Sequence, residues 1–400
     1  MKRLFHALSI FGLLLYAVGV IHAQTYQIIG TTSSNVANNT TRTVTTVQFG
    51  SNPLNRFLMT RVRKNIPDHA LKGTILLLPP LGSGFQNYEV GDNGNYDNSF
   101  AGFFAQRNYD VWGYSQRTQG LTAGSCESNA IDCSAMADWG VQTIVNDVAF
   151  VRQQIEAVHP GEKPVVGGLS LGSMASVATI NAHPNDYAGV ILIEGTLYDE
   201  DPVVRNINAN FCALFEDLLT NGVFYDGQGL PGFKLISHLA AVDPAGLTPL
   251  PGFPPGFTNH RAFVAAMTAP PLSPTTPRPG YQFLAGSAAE DRFFFVNEPL
   301  IHANIAVFVD YVANRTIRDV NCGLAGETTF SSNLQNFNGP VIVFAGGTGF
   351  GTGMIDTANL MTSAQVTMNF RADYGHVDHV FSTNHLHEVE HTVLKWLKKL

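Results

Sequence analysis

The chain has 400 residues, a formal net charge of −8, 45% hydrophobic residues and 14% charged ones. That balance excludes a disordered chain and supports a large core with an insertion, or two to three units at about 150 residues each. The acidic excess comes with no basic patch and no arginines interleaved with aromatics, which excludes a phosphate-backbone binder and any nucleic-acid partner.

At the start, Lys2 and Arg3 precede an apolar stretch from Ala7 to Ile21 that closes at Ile21-His22-Ala23 before Gln24. This is the pattern of a secretory signal peptide over residues 1–23. An uncleaved anchor is the alternative, because the stretch approaches spanning length; the short apolar core and the polar residues after it favour cleavage. No second such stretch follows, so a secreted, periplasmic or extracellular protein without a stable membrane span is expected. Cys126, Cys133, Cys212 and Cys322 make an even set in an oxidising compartment. Three pairings are possible, four buried free thiols being the bland alternative. Preferred are Cys126 with Cys133, closing a short loop, and Cys212 with Cys322, stapling a later segment. No Cys-x-x-Cys or Cys/His spacing suggests a metal site. Asn38, Asn39 and Asn314 each begin an Asn-x-Ser/Thr sequon.

After a Ser/Thr/Asn-rich arm from Thr31 to Thr46, β-branched and aromatic runs predict strands near Thr43 to Phe49 and Arg56 to Arg63, then a fully apolar one at Thr74 to Leu78. An amphipathic stretch at Ser99 to Arg107 leads into Tyr109 to Ser115. From Trp139 to Val158, Ile144, Val148, Val151, Ile155 and Val158 recur at helical spacing. Strand Lys163 to Gly168, helix Gly172 to Ala182 and strand Gly189 to Glu194 continue the alternation, which predicts βαβ units over a mostly parallel sheet flanked by helices, an α/β fold. From about Glu200 to Asn338 the rhythm stops. Pro244 to Pro279 is dense in proline, phenylalanines recur, and Ala209 to Leu219 and Pro299 to Ala313 read as helices, so the segment reads as an inserted cap. Strands resume at Val341 to Ala345 and Val366 to Phe370, and His385 to Leu397 closes the chain as an amphipathic helix.

Between a predicted strand and a predicted helix lies Gly168-Leu169-Ser170-Leu171-Gly172, a Gly-x-Ser-x-Gly in the setting of a nucleophile elbow. The sharp turn there needs residues without bulk two before and two after the serine, which Gly168 and Gly172 supply. The serine hydroxyl needs a base, and His376 in Asp373-Tyr374-Gly375-His376-Val377-Asp378-His379 follows the last strand. His379 is its close rival.

With these residues the chain resembles the α/β-hydrolase superfamily, specifically a secreted lipase/esterase-like serine hydrolase. The likeness runs in order over the whole mature chain: core at residues 24–199 and 339–400, cap at 200–338 between strands six and seven of the superfamily's count. His376-Val377-Asp378 is similar to the His-Leu-Asp of the acid lipases. The resemblance implies an oxyanion hole from the backbone amide of Leu171 and one in Pro79-Pro80-Leu81-Gly82-Ser83-Gly84; Pro80 has no N–H, which leaves Leu81. The acid departs from the usual pattern. The loop after strand seven is Gly346-Gly347-Thr348-Gly349-Phe350-Gly351-Thr352-Gly353, with no carboxylate before Asp356. Glu194 instead ends strand six, where the stretch resembles the Leu-Asp-Pro-Ala turn of pancreatic-type lipases. One helix and one strand past Ser170, it reaches the carboxyl edge of the sheet beside the elbow and is preferred over Asp356, Asp199 and Asp201.

Two further motifs read as decoys. His387-Glu388-Val389-Glu390-His391 matches His-Glu-x-x-His, but the nine residues after it hold no third zinc ligand. The Gly346 to Gly353 run lacks the Lys-Ser/Thr ending of a phosphate cradle. The expectation is therefore a secreted serine hydrolase of carboxylic esters, a carboxylesterase or lipase acting on a small-molecule ester or lipid through an acyl-enzyme on Ser170, without cofactor or metal. A peptidase or acyltransferase on the same fold, or a non-catalytic binding protein on a hydrolase scaffold, are the alternatives.

Overall fold

The computed structural model describes residues 25–128 and 130–400, so the expected signal peptide lies outside the described residues. Nine strands form one sheet: β1 (Tyr26–Ala37), β2 (Thr40–Phe49), β3 (Arg56–Lys64), β4 (Thr74–Leu78), β5 (Asp110–Ser115), β6 (Val165–Leu169), β7 (Gly189–Ile193), β8 (Val341–Gly346) and β9 (Val366–Arg371). Their spatial order is β1-β2-β3-β5-β4-β6-β7-β8-β9. β1, β2, β3 and β5 pair antiparallel in turn, and β5-β4-β6-β7-β8-β9 are all parallel.

The parallel strands β4, β6 and β7 are buried along their whole length, which is why they read as unbroken apolar or glycine runs. Helices cover both faces. On one, α1 (Phe100–Gln106) and the C-terminal α11 (His391–Leu397) bury Phe104 and Val393 against Ile75, Ile191 and Phe344. On the other, α2 (Val141–Val158) and α3 (Leu171–Ala182) bury Val148, Ile155 and Val177 against Leu76, Val166 and Val190. A buried ion pair, Arg117 with Asp147 of α2 at 2.7 Å, fastens this layer, and the Tyr26 hydroxyl donates to Asp147 at 2.9 Å, tying β1 down.

The structure differs from the sequence reading at the N-terminus, where the polar arm forms the turn and adjoining parts of both strands of a long hairpin. Its edge strand β1 is mostly exposed and held by side-chain pairs such as Ser33 Oγ with Thr43 Oγ1 at 2.9 Å. Of the three sequons, Asn314 is buried with its amide donating to the Val223 carbonyl, whereas Asn38 and Asn39 sit exposed at the hairpin turn.

Between β7 and β8 the chain makes an insert with its own helices: α4 (Pro202–Thr220), α5 (Gly229–Val242), α6 (Asn259–Thr268), α7 (Glu298–Ala306) and α8 (Asn314–Leu324). α5, α6 and α7 surround a separate apolar cluster with Ile236, Phe263 and Ile301 at its centre. The last part of the insert joins the main core instead, through Leu324, Phe330, Leu334 and Phe337. Two disulfides are present, Cys126–Cys133 and Cys212–Cys322, the second joining α4 to α8.

A bridge spanning 110 residues removes conformational freedom from the unfolded chain, worth about 4–5 kcal/mol in the chain-entropy model. Replacing Cys212 and Cys322 by alanine is expected to lower the melting temperature and to raise hydrogen exchange in α4 and α8 before the parallel strands. Equal loss of protection in β4 and β6 would show that the bridge does not act on the insert.

Candidate active site

Ser170 sits between β6 and α3 with φ +57° and ψ −120°, a conformation that costs a non-glycine residue on the order of 1–3 kcal/mol. Its surroundings hold it there. The Ser170 amide donates to the Ile193 carbonyl at 2.9 Å, and its carbonyl accepts from the Met174 amide at 3.1 Å. Gly168 and Gly172 lie so close to the Leu78 carbonyl of the neighbouring strand that a Cβ on either would collide with it. The Tyr88 hydroxyl stitches the two strands by donating to Leu78 O at 2.6 Å while accepting from the Leu169 amide at 2.8 Å.

His376 lies in the turn between β9 and the short helix α10 (Asp378–Phe381) and is 4% exposed. Its Nε2 is 2.8 Å from Ser170 Oγ, and its Nδ1 is 3.4 Å from Glu194 Oε2. Tyr281 and Phe283 of the insert and Phe350 pack around the imidazole, with ring centroids 5.2–6.2 Å away. His379 faces elsewhere, against Phe344 and Tyr374; burial lowers its pKa below the usual histidine value.

Glu194 is fully buried and, like Ser170, has a positive φ, +47°. Its amide donates to the Phe344 carbonyl at 3.0 Å. Its carboxylate accepts from the amides of Gly346 and Phe350, the latter at 2.8 Å, so the glycine loop after β8 closes over it. A Cβ at Gly349 would run into the Glu194 carboxylate and the His376 backbone. The loop thus lacks an acid of its own and gives the space to one from β7. The other carboxylates are engaged apart from the imidazole. Asp356, on α9 (Thr352–Leu360), accepts from the Glu200 amide at 3.0 Å; Asp199 accepts from the Asp201 amide; and Asp201 caps α4.

The Leu171 amide, at the first position of α3, has no acceptor within the helix, as is general for a helix's first turn. Among the described residues the Leu81 amide donates to no backbone acceptor. Both residues, with Ser170 and His376, line a cavity of about 900 Å³ whose wall is largely apolar, including Met174, Phe233, Ile305 and Phe350. Asp226 is its one lining carboxylate, and its Oδ1 already accepts from the amides of Gln228 at 2.9 Å and Gly229 at 3.2 Å.

The insert grips two edges of this site. The Val309 amide donates to Gly82 O in the loop after β4, and the His376 and Val377 amides donate to Gln282 O and Phe283 O, each at 2.8 Å. Sequence reasoning quoted Asp378 but gave it no role; it is fully buried beside the histidine and accepts from backbone amides, a partnership that leaves no side-chain signature. In the His-Glu-x-x-His stretch, Glu388 accepts from Arg371 and Tyr374, and Glu390 meets His385, so neither carboxylate stands with His387 and His391. The one metal-like cluster among the described residues, Cys212, Glu216 and Cys322, contains the disulfide itself.

The comparisons agree with this architecture. A family model described as serine aminopeptidase, S33, matches residues 91–228, a span that includes Ser170 and Glu194. A Sulfolobus solfataricus protein, provisionally assigned as a lipase, superposes with a TM-score of 0.62 at 18% identity, covering 94% of this chain and 99% of its own. A highly thermostable carboxyl esterase from Bacillus coagulans gives 0.52 at 14%, covering 94% and 98%. No match was found among curated proteins. By strand order and likeness to these structures the chain has the α/β-hydrolase fold. The added N-terminal β1 shifts the count by one, so β7 and β8 are strands six and seven of that fold.

Gly349→Ala is expected to push the Glu194 carboxylate off the imidazole and to cost about 1–3 kcal/mol of stability through overpacking. A proton spectrum of wild type should show a downfield imidazole N–H resonance that the variant lacks. An unchanged resonance in the variant would mean that Glu194 does not hold Nδ1.

Proposed function

We propose that this chain is a secreted serine hydrolase of carboxylic esters, working through an acyl-enzyme on Ser170. The observation that carries the proposal is the line of contacts from Ser170 Oγ to His376 Nε2 at 2.8 Å and from Nδ1 to Glu194. Secretion is supported by the N-terminal signal pattern and by two disulfides, which persist in oxidising compartments.

In this mechanism His376 takes the Ser170 proton as the oxygen attacks the ester carbonyl, and the Glu194 carboxylate stabilises the imidazolium and fixes its tautomer. The tetrahedral oxyanion is met by the amides of Leu171 and Leu81. His376 then protonates the departing alcohol, and a water activated by the same imidazole releases the acid. The insert acts as a cap over the reacting atoms, and the apolar cavity accommodates an acyl or aryl group.

The S33 family description raises aminopeptidase as a second reading. A free substrate amine would need a carboxylate, and the one that lines the cavity is the exposed Asp226, whose Oδ1 accepts two backbone amides, in a wall that is otherwise largely apolar. The cavity therefore favours an ester with an apolar acid.

A fluorophosphonate is expected to label the folded protein and not Ser170→Ala; labelling that survives this change would move the nucleophile elsewhere. Glu194→Gln is expected to reduce kcat by on the order of 10⁴-fold, as amide substitution does in serine-protease triads, with Asp356→Asn near wild type. The reverse outcome would return the acid to the region after β8. Across p-nitrophenyl esters, kcat/KM is expected to rise with acyl length until the cavity is filled, each buried CH₂ adding about 0.8 kcal/mol; a fall beyond acetate would contradict an apolar acyl site.

A further inference from the structure

Asp378 stands two residues from His376, yet no step above uses it. It is fully buried. Its Oδ2 accepts from the Gly375 amide at 2.5 Å and from the Ala285 amide at 2.8 Å, and its Oδ1 has no hydrogen-bond partner among the described residues. Gly375 belongs to the histidine turn, Ala285 to the insert. One carboxylate oxygen therefore joins the two.

Nearby contacts make this junction part of the site. The His376 and Val377 amides donate to Gln282 O and Phe283 O on either side of the imidazole. The Gln282 amide donates to Thr348 O at 2.8 Å, in the glycine loop that encloses Glu194. A Cβ on Gly375 would press on the Gln282 carbonyl and the Ala285 amide, so the backbones touch directly. Residues 282–285 are thus wedged between the turn of the base and the loop of the acid.

We propose that Asp378 is a positioning residue, whose carboxylate fixes the His376 turn against residues 282–285 so that the imidazole bridges Ser170 and Glu194 only while the insert is seated. This rests on the serine-hydrolase proposal. The ionised carboxylate orients the turn more tightly, since hydrogen bonds to a charged acceptor are about twice as strong as neutral ones, while its burial makes seating the charge costly.

The charges acting on Asp378 are those of Glu194, at the end of β7, and Asp373, on its own loop; His376 and His379 are its neighbours along the chain, and Tyr281 is the titratable group on the insert segment. Burial, with the Glu194 and Asp373 charges adding and the two amides opposing, pushes the Asp378 carboxyl up to about 7. This pKa is raised above the unfolded value of about 3.9. The native state therefore holds the extra proton between about pH 4 and 7, and the ionised form costs stability that is fully lost above pH 7 and regained as pH falls toward 4. A charge kept where it weakens the fold is what a stability–activity trade-off produces.

The test is Asp378→Asn in the full chain, which keeps an acceptor oxygen and removes the charge. With a soluble p-nitrophenyl ester between pH 5.5 and 9, kcat above pH 7 is expected to fall by on the order of ten- to a hundredfold with KM little changed, and the acid limb of the profile to lose one of two protons. The variant should melt higher than wild type at pH 8.5, with the gap closing toward pH 4. A folded variant with wild-type kcat and the same two-proton limb overturns the proposal, as does one whose kcat and stability fall together at every pH. If the variant does not fold, wild type decides: exchange protection of residues 282–285, corrected for intrinsic rates, should weaken as pH rises through 7, because the charge is less costly in the unseated state, and constant protection overturns the clamp. A wild type that hydrolyses no ester and takes no fluorophosphonate label fails the serine-hydrolase proposal itself and removes this one with it.

Discussion

A carboxylate with no access to water has to be neutralised inside the fold, and that requirement on Glu194 organises everything around it. An unpaired buried charge costs several kcal/mol, so the glutamate needs donors on every side it presents. Two come from the loop after β8, through the amides of Gly346 and Phe350, and the third is the imidazole of His376. Side chains on that loop would occupy the space of the carboxylate, most directly at Gly349, which explains the run of glycines.

The same turn supports the serine. Ser170 and Glu194 end adjacent parallel strands, both with positive φ, and each stabilises the other's turn: the Ser170 amide donates to Ile193 O, Ser173 Oγ donates to Gly195 O at 2.7 Å, and Gly195 lies against the Ser170 carbonyl. Strain at the two residues is thereby shared within one hydrogen-bonded unit at the carboxyl edge of the sheet, where doubly wound folds bind ligands. The insert completes the arrangement from above. It holds the loop of Leu81 through Val309 and the turn of His376 through residues 282–285, so the geometry of the site depends on a segment with a hydrophobic cluster of its own.

What could be read in the sequence follows from which interactions leave a pattern in residue type. Buried parallel strands need apolar residues throughout, so Thr74–Leu78 and Val341–Gly346 announced themselves, and the elbow's glycines marked the one turn too tight for side chains. β1 left no such trace, because an exposed edge strand held by serine and threonine pairs has the composition of a loop. In the insert, the predicted helix Ala209 to Leu219 is the second half of α4. Pro299 to Ala313 covers α7 but runs past its end at Ala306, and α5, α6 and α8 carried too much glycine, proline or polarity to stand out. The partners of Asp378 are main-chain amides, which every residue but proline possesses. Only the fold could place them.

In the proposed hydrolase, Glu194, reaching from β7, serves the histidine that activates Ser170, while the loop after β8 carries no acid of its own. The most direct measurement is a crystal structure of the protein after inhibition by a fluorophosphonate. The phosphorus should be bonded to Ser170 Oγ, with its oxygen about 3 Å from the amides of Leu81 and Leu171 and with Glu194 still on Nδ1 of His376. An adduct on another side chain, or an imidazole turned to Asp356 or Asp199, would contradict the account.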